Sequence, residues 1–314
     1  MAAVVEDLKG RSYTKVADWS RPELEQVLDL ADELKRAQKA REEHHLLPGR
    51  TIGLIFEKPS TRTRVSFGVG IAQLGGTGLT FSDGDLHVGR TESIRDTAGV
   101  LSRYLDALVI RTFAQADVEA FAEHASIPVI NALTDTSHPC QVLADLMTIR
   151  ERRGALEGLR IVYVGDGNNV CASLMVGAAK FGMEFVAATP PGYEPHERPL
   201  EIARDAAVES GGSVEVTHDV RGAVVGADVV CTDVWTSMGQ EAESQRRGRD
   251  LAGYGIDAEL VQAAGEQAIV MHCLPAHYGE EITEDVAYGP QSAVFDEAEN
   301  RLHAQKALMA LVIR

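Results

Sequence analysis

Two hydrophobic rhythms alternate along the chain: short apolar runs, and longer stretches in which apolar residues return every three or four positions. The runs 51–56, 78–81, 107–110, 128–131, 159–164, 185–188, 214–216, 228–232 and 268–271 read as strands, several of them apolar throughout and so buried on both faces. Helical stretches lie between them. Ser20-Arg-Pro-Glu23 has the residues of a capping box, and Leu24, Val27, Leu28, Ala31 and Leu34 follow at helical spacing before the polar run 39–43. Pro48-Gly49 breaks to the first strand. Beyond Ser60, the residues Val65, Val69, Ala72 and Leu74 imply a helix with its apolar side on those positions. Further helices are predicted over 93–104, 118–125, 200–210 and 221–226, and from about Val170. Another starts near His138-Pro139, turns Val142, Leu143, Leu146 and Ile149 inward and ends at Gly154. A last helix, 297–313, carries Leu302, Leu308, Leu311 and Val312 on its apolar side.

A strand–helix rhythm sustained over the whole chain means parallel sheets covered by helices, an α/β fold. Two such sheets are expected, joined near residues 138–157, with no solenoid repeat and no low-complexity segment. A length of 314 residues accommodates two domains of ordinary size. Acidic residues outnumber basic ones, 47 to 30, for a net charge of −17. Nucleic acid and anionic membrane are therefore excluded as main partners, and any anionic substrate needs a local basic pocket. The N-terminus, Met-Ala-Ala-Val-Val-Glu-Asp, lacks the features of a signal peptide. Cys140, Cys171, Cys231 and Cys273 lie far apart without zinc spacing, so a cytoplasmic chain with reduced thiols is expected.

The unusual polar residues fall where strands end, which is where ligands gather in a parallel sheet. After the first strand, Ser60 is placed at the cap of a helix whose first-turn N–H groups remain open. Those donors, the hydroxyls of Thr61 and Thr63 and the guanidinium groups of Arg62 and Arg64 would converge on one spot suited to a phosphate dianion. A plain capped helix with a solvated Arg pair is the alternative. Arg111 ends another strand. His138 and Gln141 stand three apart at a helix start and could grip a carbonyl or amide, while Cys140 between them reads as a small core residue. Gly165-Asp-Gly167 invites dinucleotide binding, but Val170 stands where the third glycine belongs, and Asn168-Asn169 offer carboxamides to a polar small molecule instead. Cys273, in His272-Cys-Leu-Pro275, could be a nucleophile, a metal ligand or a substrate contact. With His272 it lacks a third zinc ligand at a recognised spacing, so no metal is expected.

Taken together, these motifs make the chain resemble the aspartate/ornithine carbamoyltransferase family over essentially its whole length. Ser60-Thr-Arg-Thr-Arg64 and His138-Pro-Cys-Gln141 resemble the family's carbamoyl-phosphate motifs, and His272-Cys-Leu-Pro275 with Asp233-Val-Trp-Thr-Ser-Met-Gly239 resembles its ornithine branch. The resemblance implies residues 1–145 as a carbamoyl-phosphate domain, completed by a tail helix 297–314 that returns to it, and 146–296 as an ornithine domain. It implies transfer of a carbamoyl group to ornithine, giving citrulline and phosphate, without a cofactor. Ser60, Thr61, Arg62 and Thr63 would hold the phosphate, Arg111 would bridge phosphate and carbonyl oxygen, and Arg301 would complete the anion site. His138, with Pro139, Cys140 and Gln141, would contact the carbamoyl group. Asn169, Asp233, Ser237 and Met238 would bind ornithine, and Cys273 and Leu274, before a cis proline, would line the reacting centre. The family works as a trimer in which a neighbour lends a loop to each active site.

Three departures from the family pattern stand out. His87 occupies a loop position where the family usually carries Gln, so an imidazole would reach the neighbour's phosphate. Gly68 and Gly70 replace better helix formers, weakening that helix by roughly 1 kcal/mol each relative to Ala. Tyr278 stands where a basic residue is common. The competing readings are a sibling transferase acting on putrescine or an N-acylated ornithine, a nicotinamide-dependent dehydrogenase using the Gly165 loop, and a non-catalytic paralogue.

Overall fold

The structure, a computed structural model, describes residues 7–82, 85 and 92–314. The chain divides into two compact units, Met1–Ala144 with Asn300–Arg314, and Asp145–Glu299. The first opens with helix α1 (Arg21–Ala40), which Ser20 and Glu23 start as a reciprocal capping box. Strands β1 (Thr51–Phe56), β2 (Thr77–Ser82), β3 (Ala107–Arg111) and β4 (Val129–Leu133) alternate with helices α2 (Thr61–Gln73), α3 (Ile94–Leu101) and α4 (Gln115–His124). Helix α5 (Pro139–Arg153) leads into the second unit. There β5 (Arg160–Val164), α6 (Asn169–Lys180), β6 (Glu184–Ala188), α7 (Glu197–Ser210), β7 (Ser213–Thr217), α8 (Val220–Val224) and β8 (Val229–Thr232) keep the same rhythm. Short helices α9 (Ser244–Asp250) and α10 (Ala258–Ala264), strand β9 (Ile269–His272) and helix α11 (Glu284–Ala287) follow, and α12 (Val294–Val312) closes the chain.

Both sheets are parallel, with strand orders β2-β1-β3-β4 and β7-β6-β5-β8-β9. The α/β expectation with two helix-flanked sheets therefore holds. In each sheet the direction of strand addition reverses once, between β1 and β3 and between β5 and β8. Such reversal leaves a crevice at the carboxyl ends of the two central strands, because the helices after them pass to opposite faces. β3 is buried along its whole length and β1 at every residue but the first, whereas the edge strand β2 is largely exposed.

The face of α2 corrects the sequence reading. Val65, Val69 and Ala72 are exposed, and Thr63, Phe67, Gly70 and Ile71 face the core, with Leu74 buried beyond the end. Val65/Val69 and Phe67/Ile71 are both four apart, so spacing alone could not choose between two opposite faces. Gly70 is needed for packing: a Cβ there would lie 3.1 Å from Lys306 Cγ and 3.4 Å from Met309 Cε. At Gly68 nothing lies within 4 Å of that position. Gly70→Leu is therefore expected to destabilise by about 1–3 kcal/mol through overpacking, read as a lower Tm by circular dichroism.

Helix α12 also departs from a simple amphipathic tail. Leu302 and Leu311 are only half-buried, while Arg301, His303, Gln305 and Lys306 are buried with Leu308 and Val312. Its end is closed by Lys9, whose Nζ donates to the carbonyls of Ala310 and Ile313 at 2.6 and 2.7 Å, a cation where the helix dipole is negative. Lys306 Nζ donates to Gln73 Oε1 at 2.9 Å and lies 3.0 Å from His44 Nε2, and burial lowers its pKa to about 8.

Candidate active site

In the first unit, the β1–β3 crevice collects the phosphate motif. Ser60 is the N-cap of α2, and its Oγ accepts from Thr63 N–H at 3.2 Å. Thr63 itself is buried beneath the exposed Thr61 and Arg62. Two guanidinium groups fix its hydroxyl: Arg301 Nη2 donates to Thr63 Oγ1 at 2.9 Å and Arg111 Nη1 at 3.4 Å. Arg301 Nη1 also donates to Gln141 Oε1 at 3.1 Å. Residues from α2, β3, α5 and the tail helix thus meet at one point. Arg64 does not join them: its guanidinium stacks 5.3 Å from the Phe56 ring centroid and donates to Ser82 Oγ. The expected convergence of both arginines after Ser60 is thereby corrected to Arg62 alone, because the Phe56 ring and the Ser82 hydroxyl draw Arg64 to the sheet edge.

His138 is buried just before α5. Burial pushes its pKa well below the ordinary value, and the positive charges of Arg301, Arg111 and Arg62 push the same way. The charges of three arginines therefore act on an imidazole held neutral. This is the local basic pocket that a chain of net charge −17 needs for an anionic ligand. Cys140 packs away from it, donating to the Asn131 carbonyl at 3.3 Å, and burial raises its thiol to about 12. The Pro139 carbonyl accepts from Tyr13 OH. Both residues hold the start of α5 and put His138 and Gln141 in place. His87 lies outside the described residues.

In the second unit, the β5–β8 crevice holds the other motifs. Asn168 caps α6: its Oδ1 accepts from Val170 and Cys171 N–H groups at 2.9 and 3.1 Å, and its Nδ2 donates to Asp233 Oδ2 at 2.8 Å. Asn169 is the first residue of the helix, half-buried beside it. Cys273 Sγ donates to the other oxygen of Asp233, Oδ1, at 3.1 Å. Burial, Asp233 and Glu297 all push the Cys273 thiol well up, so it stays protonated. A thiol so held is a donor and a shape, and a poor nucleophile. Leu274 has φ of 58°, unusual for a branched residue, and its bond to Pro275 is cis, as the resemblance implied. Ser237 and Met238 sit in the loop after β8, with Met238 42% exposed. That loop is closed by Ser237 N–H to Gln240 Oε1 at 3.3 Å and Gly239 N–H to Glu241 Oε1 at 3.0 Å.

Several supporting residues escaped the sequence reading. Arg247 Nη1 donates to Asp166 Oδ2 at 2.7 Å and to the Trp235 carbonyl at 3.0 Å, bracing the β5 and β8 loops from a buried position. Glu297 accepts from His272 N–H at 2.8 Å. No local pattern announces them, because each partner is distant in sequence. The Gly165 loop is also explained. A Cβ on Gly167 would lie 2.3 Å from Pro195 N, and Gly167 N–H donates to the Tyr193 carbonyl at 2.8 Å. The glycine serves chain packing there and does not open a pyrophosphate cradle, which removes the basis of the dehydrogenase reading. Asp233, His272 and Cys273 do bring three donor atoms within 4.8 Å. Both ring nitrogens of His272 are already engaged, with Leu274 N–H at 2.9 Å and Glu281 Oε1 at 3.1 Å, so the set does not fit a metal.

Comparison with known proteins shows the family. Residues 11–151 match the family description "Aspartate/ornithine carbamoyltransferase, carbamoyl-P binding domain", and residues 157–312 match "Aspartate/ornithine carbamoyltransferase, Asp/Orn binding domain". The ornithine carbamoyltransferase of Symbiobacterium thermophilum is 57% identical over 306 residues, covering 98% of this chain and 99% of that protein. That of Oceanobacillus iheyensis is 55% identical, covering 98% and 96%. The solved structure of ornithine carbamoyltransferase from Pyrococcus furiosus superposes with a TM-score of 0.96 at 51% identity, covering 98% of this chain and 99% of that one. With both family domains matched in order and full-length relatives above half identity, the chain belongs to the aspartate/ornithine carbamoyltransferase family.

Proposed function

We propose that this chain transfers the carbamoyl group of carbamoyl phosphate to the δ-amine of L-ornithine, giving L-citrulline and phosphate, within arginine metabolism. The observation that carries the site assignment is the cluster of Arg62, Arg111 and Arg301 about His138, at the switch point of the first sheet. Ser60, Thr61, Arg62 and Thr63 hold the phosphate at the start of α2, where first-turn N–H groups and the helix dipole favour a dianion. Arg111 bridges phosphate and carbonyl oxygen, and His138 and Gln141 orient the carbamoyl group. Asn169, Asp233, Ser237 and Met238 take ornithine, and Cys273 and Leu274 line the reacting centre.

The neutral δ-amine attacks the carbamoyl carbon, the carbonyl oxygen takes up charge, and the bond to phosphate oxygen breaks with its electron pair leaving on phosphate, which also takes the proton lost by the attacking nitrogen. The cations and the neutral imidazole are aimed at the oxygen where charge develops, so they stabilise the transition state more than the ground state. No covalent enzyme intermediate is required. Because an alkyl amine of this kind has a pKa near ~10.4, the reactive form is scarce at pH 7 and turnover is expected to rise on the alkaline side. His138, held below its ordinary pKa, is already neutral there and adds no step above pH 6.5. A pH series of kcat checks both statements.

The same reading makes the chain a cytoplasmic homotrimer in which the loop containing His87 reaches a neighbour's site. Among the described residues no helix is long and apolar enough to cross a membrane. Support for self-association comes from the first unit: the edge strand β2 is open, Leu79 is 44% exposed, and Val65 and Val69 are exposed on α2. Open strand edges and apolar faces are what a partner subunit covers.

The decisive experiment offers carbamoyl phosphate with ornithine, putrescine, N-acetylornithine and aspartate separately and measures ureido product. Product with ornithine alone is the expected result. Product with another amine only would retain the phosphate half of the site and overturn the ornithine half.

A further inference from the structure

The loop His272–Pro275 is held in an unusual backbone by a buried side chain that lies outside every motif. Leu274 has φ of 58°, a conformation L side chains rarely adopt. Its N–H donates to His272 Nδ1 at 2.9 Å. A nitrogen that accepts from a backbone N–H carries no proton, so the His272 ring must bear its hydrogen on Nε2. That nitrogen lies 3.1 Å from Glu281 Oε1, and both side chains are 0% exposed. Glu281 is itself rigidly placed: Oε1 also accepts from His277 N–H at 2.5 Å, and its backbone carbonyl accepts from Ile256 N–H at 2.9 Å. A buried carboxylate is costly unless its hydrogen bonds are supplied; Oε1 has two donors, while Oε2 faces only His277 Nδ1 at 3.8 Å.

We propose that Glu281 is a positioning residue for carbamoyl transfer: through His272 it selects the Nε2–H tautomer, which leaves Nδ1 free to hold Leu274 in its left-handed conformation at the reacting centre. This rests on the placement of Cys273 and Leu274 at that centre. The chain of bonds runs from the carboxylate to the ring and from the ring to the backbone, so its effect is orientation and not proton transfer. The loop is pinned at two further points, His272 N–H on Glu297 and Cys273 Sγ on Asp233. Among the described residues, the side-chain bond to Leu274 is the one from His272, backed by Glu281. Loss of the tautomer would turn an N–H donor toward the Leu274 N–H and force the loop to move. Displacement of a positioning backbone by about an ångström costs on the order of 100-fold in rate.

The test uses four variants of the full chain, after product formation from ornithine by the unaltered protein has established the underlying activity. Glu281→Gln keeps an acceptor for the Nε2 hydrogen, and His272→Asn places an acceptor near the former Nδ1. Both are expected to keep kcat within about tenfold of the parent. Glu281→Leu and His272→Gln remove one link each and are expected to lower kcat about 100-fold. Binding of carbamoyl phosphate, measured by titration calorimetry, is expected to be unchanged in all four and shows that each has folded. A long-range nitrogen NMR spectrum of the parent is expected to show His272 protonated on Nε2 alone. The proposal is overturned by a proton on Nδ1, by equal losses in Glu281→Gln and Glu281→Leu, or by equal losses in His272→Asn and His272→Gln.

Discussion

Replacing Arg62 with alanine is expected to lower kcat by about 10²–10³-fold, the usual loss for one group aimed at a developing oxyanion. Cys273→Ser is expected to lower it by less than about tenfold, since the hydrogen bond to Asp233 is kept. The contrast follows from where the two side chains stand. Arg62 is exposed, yet its charge acts on the buried His138 together with those of Arg111 and Arg301. Cys273 is a protonated thiol that donates to Asp233 Oδ1 at 3.1 Å, and a serine hydroxyl can make the same bond. Steady-state turnover with saturating ornithine and carbamoyl phosphate measures both. Equal losses would argue for a covalent role of the thiol and against direct attack.

Asp233→Asn is expected to raise the Kd for ornithine by about 10- to 150-fold, because a charge-assisted bond worth about 1.5–3 kcal/mol is lost. The same change is expected to leave carbamoyl phosphate affinity unaltered, since Asp233 lies in the second unit and the arginine cluster in the first. Asp233 has one oxygen bonded to Asn168 Nδ2 and the other to Cys273 Sγ. An asparagine can accept only on one side, so one of those donors must also turn. Titration calorimetry with each substrate separates the two effects. Unchanged ornithine affinity would remove Asp233 from the binding set.

Much of this molecule was legible along the chain. Strands such as Thr51–Phe56 and Ala107–Arg111 are short apolar runs, and Ser20 and Glu23 announce α1 by local capping chemistry. Ser60 at the cap of α2 and His138 at the start of α5 were readable for the same reason. Each signal lies within a few residues of the structure it specifies. The short helices α9, α10 and α11 were not read, because elements of one or two turns carry few periodic positions, although α8, as short, was found between two strands.

What the sequence by itself determined was the alternation of strands and helices, the residue types at each strand end and the family to which they correspond. Tertiary structure alone decided which of two equally spaced faces of α2 is buried, since Val65/Val69 and Phe67/Ile71 satisfy the same period. It also decided that Arg64 stacks on Phe56 while Arg301, 238 residues beyond Thr63, bonds to it. The same holds for Glu281 and His272, nine residues apart and joined, both buried, across a largely exposed loop. Hydrophobic periodicity encodes how much of an element is buried. Which side is buried, and which distant charge completes a pocket, depends on strand order and on the space left by neighbouring side chains, and those exist only once the sheets have formed.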